Sequence, residues 1–314
     1  MVSKVGAYAY FRKRIVPIEE ANVSIMTHAL NYGTGCFEGI RGNWNDEHEQ
    51  IYLFRMRDHF ERLRRSARIL RIEIPETVGE LCDITVELVR RSGYLEDVYV
   101  RPLAYKAAEV IGPRLHDVDD DVNIFVIPFG DYLDADKGIR CCTSSWRRVP
   151  DTSIPGRAKV TGIYVNSALA KTEASDNGYD EAIMLTQEGN VSEGSGENIF
   201  AVSGGQLVTP APAEGILVGI TRNTVIEVAR RELGINAVER QIPRSELYGA
   251  EEVFLTGTAA HLTPVVEIDG RVIGSGGTGP ITRKLMDLYY EIIRGKSATY
   301  GAWCTAVAPV SVGA

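Results

Sequence analysis

Several protein classes are excluded by what this chain lacks. No apolar run approaches the ~20 residues that a bilayer-spanning helix needs, so no transmembrane segment is expected. The opening Met1-Val2-Ser3-Lys4 leads straight into a strand pattern, without the apolar core of a secretory signal. The five cysteines, Cys36, Cys82, Cys141, Cys142 and Cys304, are scattered, odd in number and without metal-ligand spacing. A reducing cytoplasm is therefore the expected compartment, and no metal site is expected. Basic residues are outnumbered, 34 lysines and arginines against 42 acids for a net charge of −8, which argues against a nucleic-acid-binding face. Lysine is scarce: eight occur, so candidates for a reactive amine are few. The chain has no internal repeat and no low-complexity segment.

What is present is the composition of a globular protein, 44% apolar and 24% charged, with 314 residues that suffice for two domains. Residues 4–11 and 14–18 read as a hairpin, and 35–44 and 51–54 as further strands, the first punctuated by glycine. Residues 58–70 form an amphipathic helix with Phe60, Leu63, Ala67 and Leu70 on one stripe. Thr77 with Glu80 three residues on is a capping box. It opens a second helix that carries Leu81, Ile84 and Leu88 inward and stops at Gly93. Strands at 97–106 and 121–129 flank a long loop with Gly112, Pro113 and an aspartate cluster. The second half opens with a strand at 139–146, a loop at 148–158 and a helix at about 162–176. Helix 221–233 has the inward stripe Ile226, Ala229 and Leu233. Short strands near 237–242, 252–256 and 265–273 precede a last helix, 282–294. Many short strands around few helices predict an α+β chain. Its parts are a small α/β sandwich over 1–130, a connector at 131–137, a larger barrel-like mixed α+β domain over 138–305 and a tail, 306–314.

The stretch 192–222 carries the chemistry. Ser192-Glu193-Gly194-Ser195-Gly196-Glu197-Asn198 sets acids in a glycine-rich turn, a strand follows, and Leu217-Val218-Gly219-Ile220-Thr221-Arg222 opens a helix. An acid to face a ring nitrogen and a helix N-terminus to hold a phosphate are what pyridoxal phosphate requires of a protein. Lys159, in Pro155-Gly156-Arg157-Ala158-Lys159-Val160-Thr161-Gly162, supplies an amine whose small neighbours let a bulky ring approach. In strand alternation Tyr99, Arg101, Leu103 and Tyr105 share one face. An arginine among aromatics there is costly unless it meets a carboxylate.

These separated elements, in this order, resemble the fold-type IV pyridoxal-phosphate enzymes of the class IV aminotransferase family, and most closely its branched-chain amino acid aminotransferases, from the opening hairpin to about Gly295. The resemblance implies a two-domain fold of the D-amino acid aminotransferase type, pyridoxal 5′-phosphate as cofactor, and Lys159 as the Schiff-base lysine and proton shuttle. It implies ping-pong transfer between L-leucine, isoleucine or valine and 2-oxoglutarate. Glu193 then stands at the pyridine nitrogen and Tyr164 at the phenolic oxygen. Further cofactor contacts fall on Gly196, Glu197, Leu217 and Gly219, and those to phosphate on Ile220, Thr221, Arg55 and Thr258. Tyr99 and Arg101 match a Tyr-x-Arg that helps bind the α-carboxylate, with Arg101 also receiving glutamate's side-chain carboxylate. Tyr32, Phe37, Gly39, Phe129 and Tyr132 match the substrate pocket, Phe129 standing where relatives often have tryptophan. Thr258 and Ala259 complete the carboxylate trap, and His28 is read as structural. The partners implied are amino acids and 2-keto acids. The assembly implied is a homodimer or higher homo-oligomer, in which the loop near Val110 and Ile111 covers a neighbour's site. A D-amino acid aminotransferase, an (R)-amine transaminase, an aminodeoxychorismate lyase and a non-catalytic binding protein compete on the same fold. Against the first, D-amino acid enzymes resemble one another in an Arg-x-His trap, whereas Arg101 precedes Pro102-Leu103.

Overall fold

The computed structural model describes residues 7–130, 133 and 137–308. The chain divides into two compact units. The first comprises the chain up to Gly130 together with Ala158–Gly162 and the chain from Glu291 onward; the second takes the rest. The division expected from sequence, with 138–305 as one larger domain, therefore needs correction. Residues 158–162 and the C-terminal segment belong to the first unit, and the two units are of similar size.

The first unit is an eight-stranded antiparallel sheet. Its order is Cys304–Val307, Gln50–Phe54, Ile40–Asn45, Val98–Lys106, Asp120–Pro128, Tyr8–Phe11 and Arg14–Pro17, with Gly35–Phe37 also paired to Val98–Lys106. Helices Met56–Ile69 and Val78–Ser92 supply the core with Phe60, Leu63, Ala67, Leu81 and Leu88. Strand alternation sends Val98, Val100 and Ala104 into that core and turns Tyr99 and Arg101 to the opposite face. The strand expected over 35–44 is two strands, broken at Glu38-Gly39. There the Glu38 N–H bonds Pro102 O at 2.9 Å, but proline has no N–H to return the bond. A Cβ on Gly39 would meet the Tyr99 hydroxyl at 1.8 Å, so glycine is what admits that ring. The last strand, Cys304–Val307, is too short to read from sequence. It is placed by pairing with Gln50–Phe54.

The second unit holds a mixed nine-stranded sheet, a curled half-barrel. Its order is Val191–Gly194, Glu181–Leu185, Ile139–Thr143, His261–Ile268, Glu252–Gly257, Asn198–Ser203, Gln206–Pro210 and Val238–Arg240, with Arg271–Val272 paired to His261–Ile268. Helix Ile220–Leu233 buries Thr221, Thr224, Val225, Val228 and Ala229, while Ile226 and Leu233 of the expected stripe are only partly buried. Polar residues take the inward face with most of their groups bonded there, although Arg222 Nε has no partner among the described residues. Arg222, 1% exposed, donates to Pro210 O at 3.0 Å and to Glu239 at 2.6 Å, and Thr224 to Ile220 O at 2.9 Å. Among the described residues no helix is long and apolar enough to cross a membrane.

The capping box at the second helix of the first unit is formed in full: the Thr77 hydroxyl accepts from the Glu80 N–H at 3.2 Å, and Glu80 accepts from the Thr77 N–H at 2.7 Å. Thr77→Ala is expected to lower stability by about 1 kcal/mol. Urea denaturation checks this, with a shifted midpoint and an unchanged slope as the predicted result; an unmoved midpoint would show that tertiary packing alone holds the helix start.

Candidate active site

In the first unit, the residues expected to handle substrate gather around Phe37. The Arg101 guanidinium lies over the Phe37 ring at 4.5 Å and over Tyr99 at 5.1 Å, and its Nη2 donates to the Tyr99 hydroxyl at 3.2 Å. Its Nε is buried without an acceptor among the described residues. Phe129 packs on Tyr99 at 5.1 Å and lies under Arg41 at 4.9 Å. Lys159 belongs to the same group: its Nζ stands 5.0 Å from the Phe37 ring centroid. Its backbone is held on both sides, the Phe37 N–H donating to Lys159 O at 3.0 Å and the Lys159 N–H to Ser66 Oγ at 3.2 Å. The segment after it is pinned by Thr161, whose hydroxyl donates to Gly33 O at 2.8 Å, and a Cβ on Gly33 would meet Gly162 Cα at 2.9 Å.

Tyr32 and His28 serve a loop. The Tyr32 hydroxyl accepts the Gly112 N–H at 3.0 Å, and fully buried His28 bridges Thr34 Oγ1 at 2.7 Å and Gly112 O at 2.9 Å. Both ring nitrogens of His28 are thus engaged, as a structural role requires. Arg55 starts helix Met56–Ile69 with a left-handed backbone, φ 48°. Its N–H donates to Trp303 O at 2.6 Å, its guanidinium covers the Trp303 ring at 5.0 Å, and its Nε donates to Asp58 at 2.5 Å. Trp303 is a partner that sequence reading missed, since it lies in the C-terminal segment. Tyr132 lies outside the described residues.

In the second unit the bonds converge on Glu193, 6% exposed. Arg148 Nη2 lies 2.8 Å from its Oε1, while Asn198 Nδ2 at 3.2 Å and the Leu217 N–H at 3.1 Å donate to Oε2. Asn198 also donates to Leu217 O at 2.9 Å, and Arg148 to Gly215 O at 3.3 Å. The acid, the glycine-rich turn and the segment leading into helix Ile220–Leu233 are therefore one hydrogen-bonded body. Leu217, expected among the cofactor contacts, has its N–H committed to Glu193. The rival acid Glu197 is in a different state. Burial, reinforced by the neighbouring Glu181 charge, pushes its carboxyl up to about 8. It accepts the Gly196 N–H at 3.0 Å, and its carbonyl closes the turn on the Gly194 N–H at 2.7 Å. Glu193 is held by a cation, whereas Glu197 supports the turn.

Helix Ile220–Leu233 begins at Gly219 without a side-chain cap, which leaves its first N–H groups to other acceptors. A Cβ on Gly219 would stand 2.1 Å from Asn198 Oδ1. Thr221 is buried, 3% exposed. Tyr164 opens helix Tyr164–Asp176 and is partly buried. Thr258 and Ala259 form the turn after strand Glu252–Gly257, and in that strand Thr256 Oγ1 is buried without a partner among the described residues. Uncapped N–H groups to donate to a phosphate and a cation-held acid to accept from a ring N–H are what a phosphorylated pyridine needs, so the residues present fit pyridoxal phosphate.

A model of the amino-transferase class IV family matches residues 35–268. The chain belongs to that family. It is 54% identical over 300 residues, 96% of each chain, to a probable branched-chain-amino-acid aminotransferase of Aquifex aeolicus. It resembles the solved branched-chain aminotransferase of Thermoproteus uzoniensis with norvaline (TM-score 0.92, 49% identity, covering 96% of this chain and 100% of that one). It also resembles the T.th. branched-chain amino acid aminotransferase complexed with N-(5′-phosphopyridoxyl)-L-glutamate (TM-score 0.90, 43% identity, covering 96% of this chain and 98% of that one).

The Glu197 environment has a sign-definite consequence. The folded state keeps its proton up to about 8, while the unfolded chain releases it near 4.5, so the native state binds more protons in between. Stability then falls as pH rises through that window. Glu197→Gln removes this contribution. The variant is expected to lose less stability than the parent between pH 5 and pH 8 in urea denaturation; parallel losses would show that Glu197 is ionised in the native protein.

Proposed function

We infer that this aminotransferase is a pyridoxal 5′-phosphate enzyme acting on L-branched-chain amino acids, taking the amino group of leucine, isoleucine or valine and passing it to 2-oxoglutarate in a ping-pong sequence. The observation that carries the reading is Arg101: a guanidinium packed on two aromatic rings with a buried Nε in want of an acceptor. A carboxylate answers it with charge-assisted bonds, while the flanking rings accept an apolar side chain. The ligands named for the solved relatives, norvaline and a phosphopyridoxyl conjugate of L-glutamate, are one apolar and one acidic amino acid and support the same pairing.

When bound, pyridoxal phosphate supplies a ring that draws electrons from the substrate's α-carbon. Lys159 would hold the cofactor through its amine and would serve as the base that takes up the proton of the substrate's α-carbon. Glu193, fixed by Arg148, Asn198 and the Leu217 N–H, keeps a proton on the ring nitrogen. The Tyr164 hydroxyl bonds the phenolic oxygen. The N–H groups of Ile220 and Thr221, the Thr221 hydroxyl, Arg55 and Thr258 hold the phosphate, while Gly196, Glu197, Leu217 and Gly219 shape the backbone around it. Tyr99, Arg101, Thr258 and Ala259 take the substrate carboxylates, and Tyr32, Phe37, Gly39 and Phe129 line its side chain.

A homodimer or larger homo-oligomer is part of the proposal. Ile25 (84% exposed), Leu30 (63%) and Ile111 (77%) are large apolar side chains presented to solvent, and Ile111 lies in the loop assigned to a neighbour's site. A cytoplasmic location goes with it.

Arg101→Leu tests the pairing. Followed as separate half-reactions by cofactor absorbance, the reaction with glutamate or 2-oxoglutarate should fall by roughly two to three orders of magnitude, as loss of a buried charge partner implies. The reaction with leucine should fall less. Equal losses would mean that Arg101 reads only the shared α-carboxylate, and that another group receives the second one.

A further inference from the structure

Lys106 is a buried cation that the proposed chemistry does not use. It ends strand Val98–Lys106, the strand that carries Tyr99 and Arg101, and is 2% exposed. Its Nζ donates to Arg71 O at 2.7 Å and to Val118 O at 3.4 Å, and lies 2.8 Å from Asp120 Oδ1. Asp120 is the residue directly opposite in the ladder, and its Oδ2 accepts the Glu73 N–H at 2.9 Å. The pair therefore ties together two strands and the segment 71–73 that follows helix Met56–Ile69. That segment bends through Arg71, whose backbone is left-handed at φ 54°.

Two apolar residues of similar volume would hold two strands as well as a buried ion pair does. The location of this pair points to another use, because Lys106 and Asp120 are where loop 107–119 leaves the sheet and returns to it. Just beyond them the Ala107 N–H donates to Asp119 O at 2.7 Å. Farther out the loop is held a second time. The His28 N–H donates to Ala108 O at 2.9 Å, the Gly112 N–H donates to the Tyr32 hydroxyl, and Gly112 O is bonded to His28 Nε2. The two anchors are connected: the Lys106 N–H donates to Thr34 O at 3.0 Å, and the Thr34 hydroxyl is the other partner of the His28 ring. Gly112 sits at φ 127°, open to glycine and strained for other residues. Beside it Ile111 is turned to solvent. A long loop fixed at its root and again near its tip is built to present what lies between.

We propose that Lys106 and Asp120 are positioning residues for substrate selection: as one clasp they fix the root of loop 107–119, so that Ile111 is held where it closes a second copy's site over the apolar side chain of the substrate. The proposal rests on the reading of this loop as the cover of a neighbour's site. Without the clasp the loop keeps its hold at Gly112, but its root shifts. Contact with the substrate's side chain then weakens equally before and during reaction, so binding changes more than turnover.

The test uses protein loaded with pyridoxal phosphate. It is reacted with L-leucine or with L-2-aminobutyrate, whose side chain is shorter, and each half-reaction is followed by cofactor absorbance over a range of amino acid concentrations. In Lys106→Met and in Asp120→Asn the half-saturating concentration of leucine should rise roughly tenfold, the scale of a methylene contact in an apolar pocket. That of 2-aminobutyrate and the maximal rates should change less than about twofold. Lys106→Arg, which keeps the charge and its donors, should restore most of the leucine preference. Asp120→Asn keeps an acceptor for the Glu73 N–H and decides the matter if Lys106→Met does not fold. A parental ratio of the two constants in each variant that folds, whatever happens to its melting temperature, would overturn the clasp. Ile111→Ala with the clasp intact tests the underlying reading. It should shift the same ratio, and an unmoved ratio would overturn the cover itself, and the clasp's role with it.

Discussion

The ion pair between Glu193 and Arg148 is the constraint on which the chemistry of the second unit depends. A carboxylate this buried persists as an anion only where a cation and hydrogen-bond donors replace water, and breaking such a pair costs about 3–5 kcal/mol. Arg148 answers one oxygen; Asn198 and the Leu217 N–H answer the other. Because Asn198 and Arg148 also hold Leu217 O and Gly215 O, the same contacts fix the chain entering helix Ile220–Leu233. One set of bonds thus fixes both a buried acid and the approach to a helix N-terminus. In the same turn the Glu197 carboxyl is pushed up to about 8 by burial and the neighbouring Glu181 charge.

The first unit works by a different economy of charge. Arg101 lies on aromatic faces rather than against an acid, which keeps a cation available for carboxylates while the rings around it suit an apolar side chain. Lys159 is placed by backbone bonds to Phe37 and Ser66, with its Nζ over the Phe37 ring. Gly39 admits the Tyr99 hydroxyl, and that hydroxyl in turn orients Arg101. Family membership makes the chemistry amino-group transfer.

Much of this was legible in the sequence where the signal is local. Thr77 with Glu80, the alternation along Val98–Lys106 and the glycine-rich stretch through Glu193 each encode their geometry within a few residues. Partners distant in sequence were not legible. Arg148 precedes Glu193 by a whole helix and a whole strand, and Glu38, His59 and Arg62 read singly as ordinary charged residues until a strand break and a helix bring them together. Hydrophobic periodicity misassigned part of the inward face of helix Ile220–Leu233, because Thr221, Arg222 and Thr224 are buried, Arg222 bonding Pro210 O and Glu239 and Thr224 bonding Ile220 O. The C-terminal return to the first unit escaped notice because Cys304–Val307 is only a four-residue strand, fixed by pairing with a distant one.

The central claim is that Lys159 anchors the cofactor of an enzyme for L-branched-chain amino acids. Borohydride reduction of the cofactor-loaded protein, followed by peptide mapping, tests it most directly when run after brief exposure to L-leucine, to D-alanine or to neither. The account predicts a label on Lys159 that L-leucine prevents and D-alanine does not. A label on another lysine such as Lys171, which is bonded to Glu181 at 2.7 Å, or protection by D-alanine alone, would contradict it.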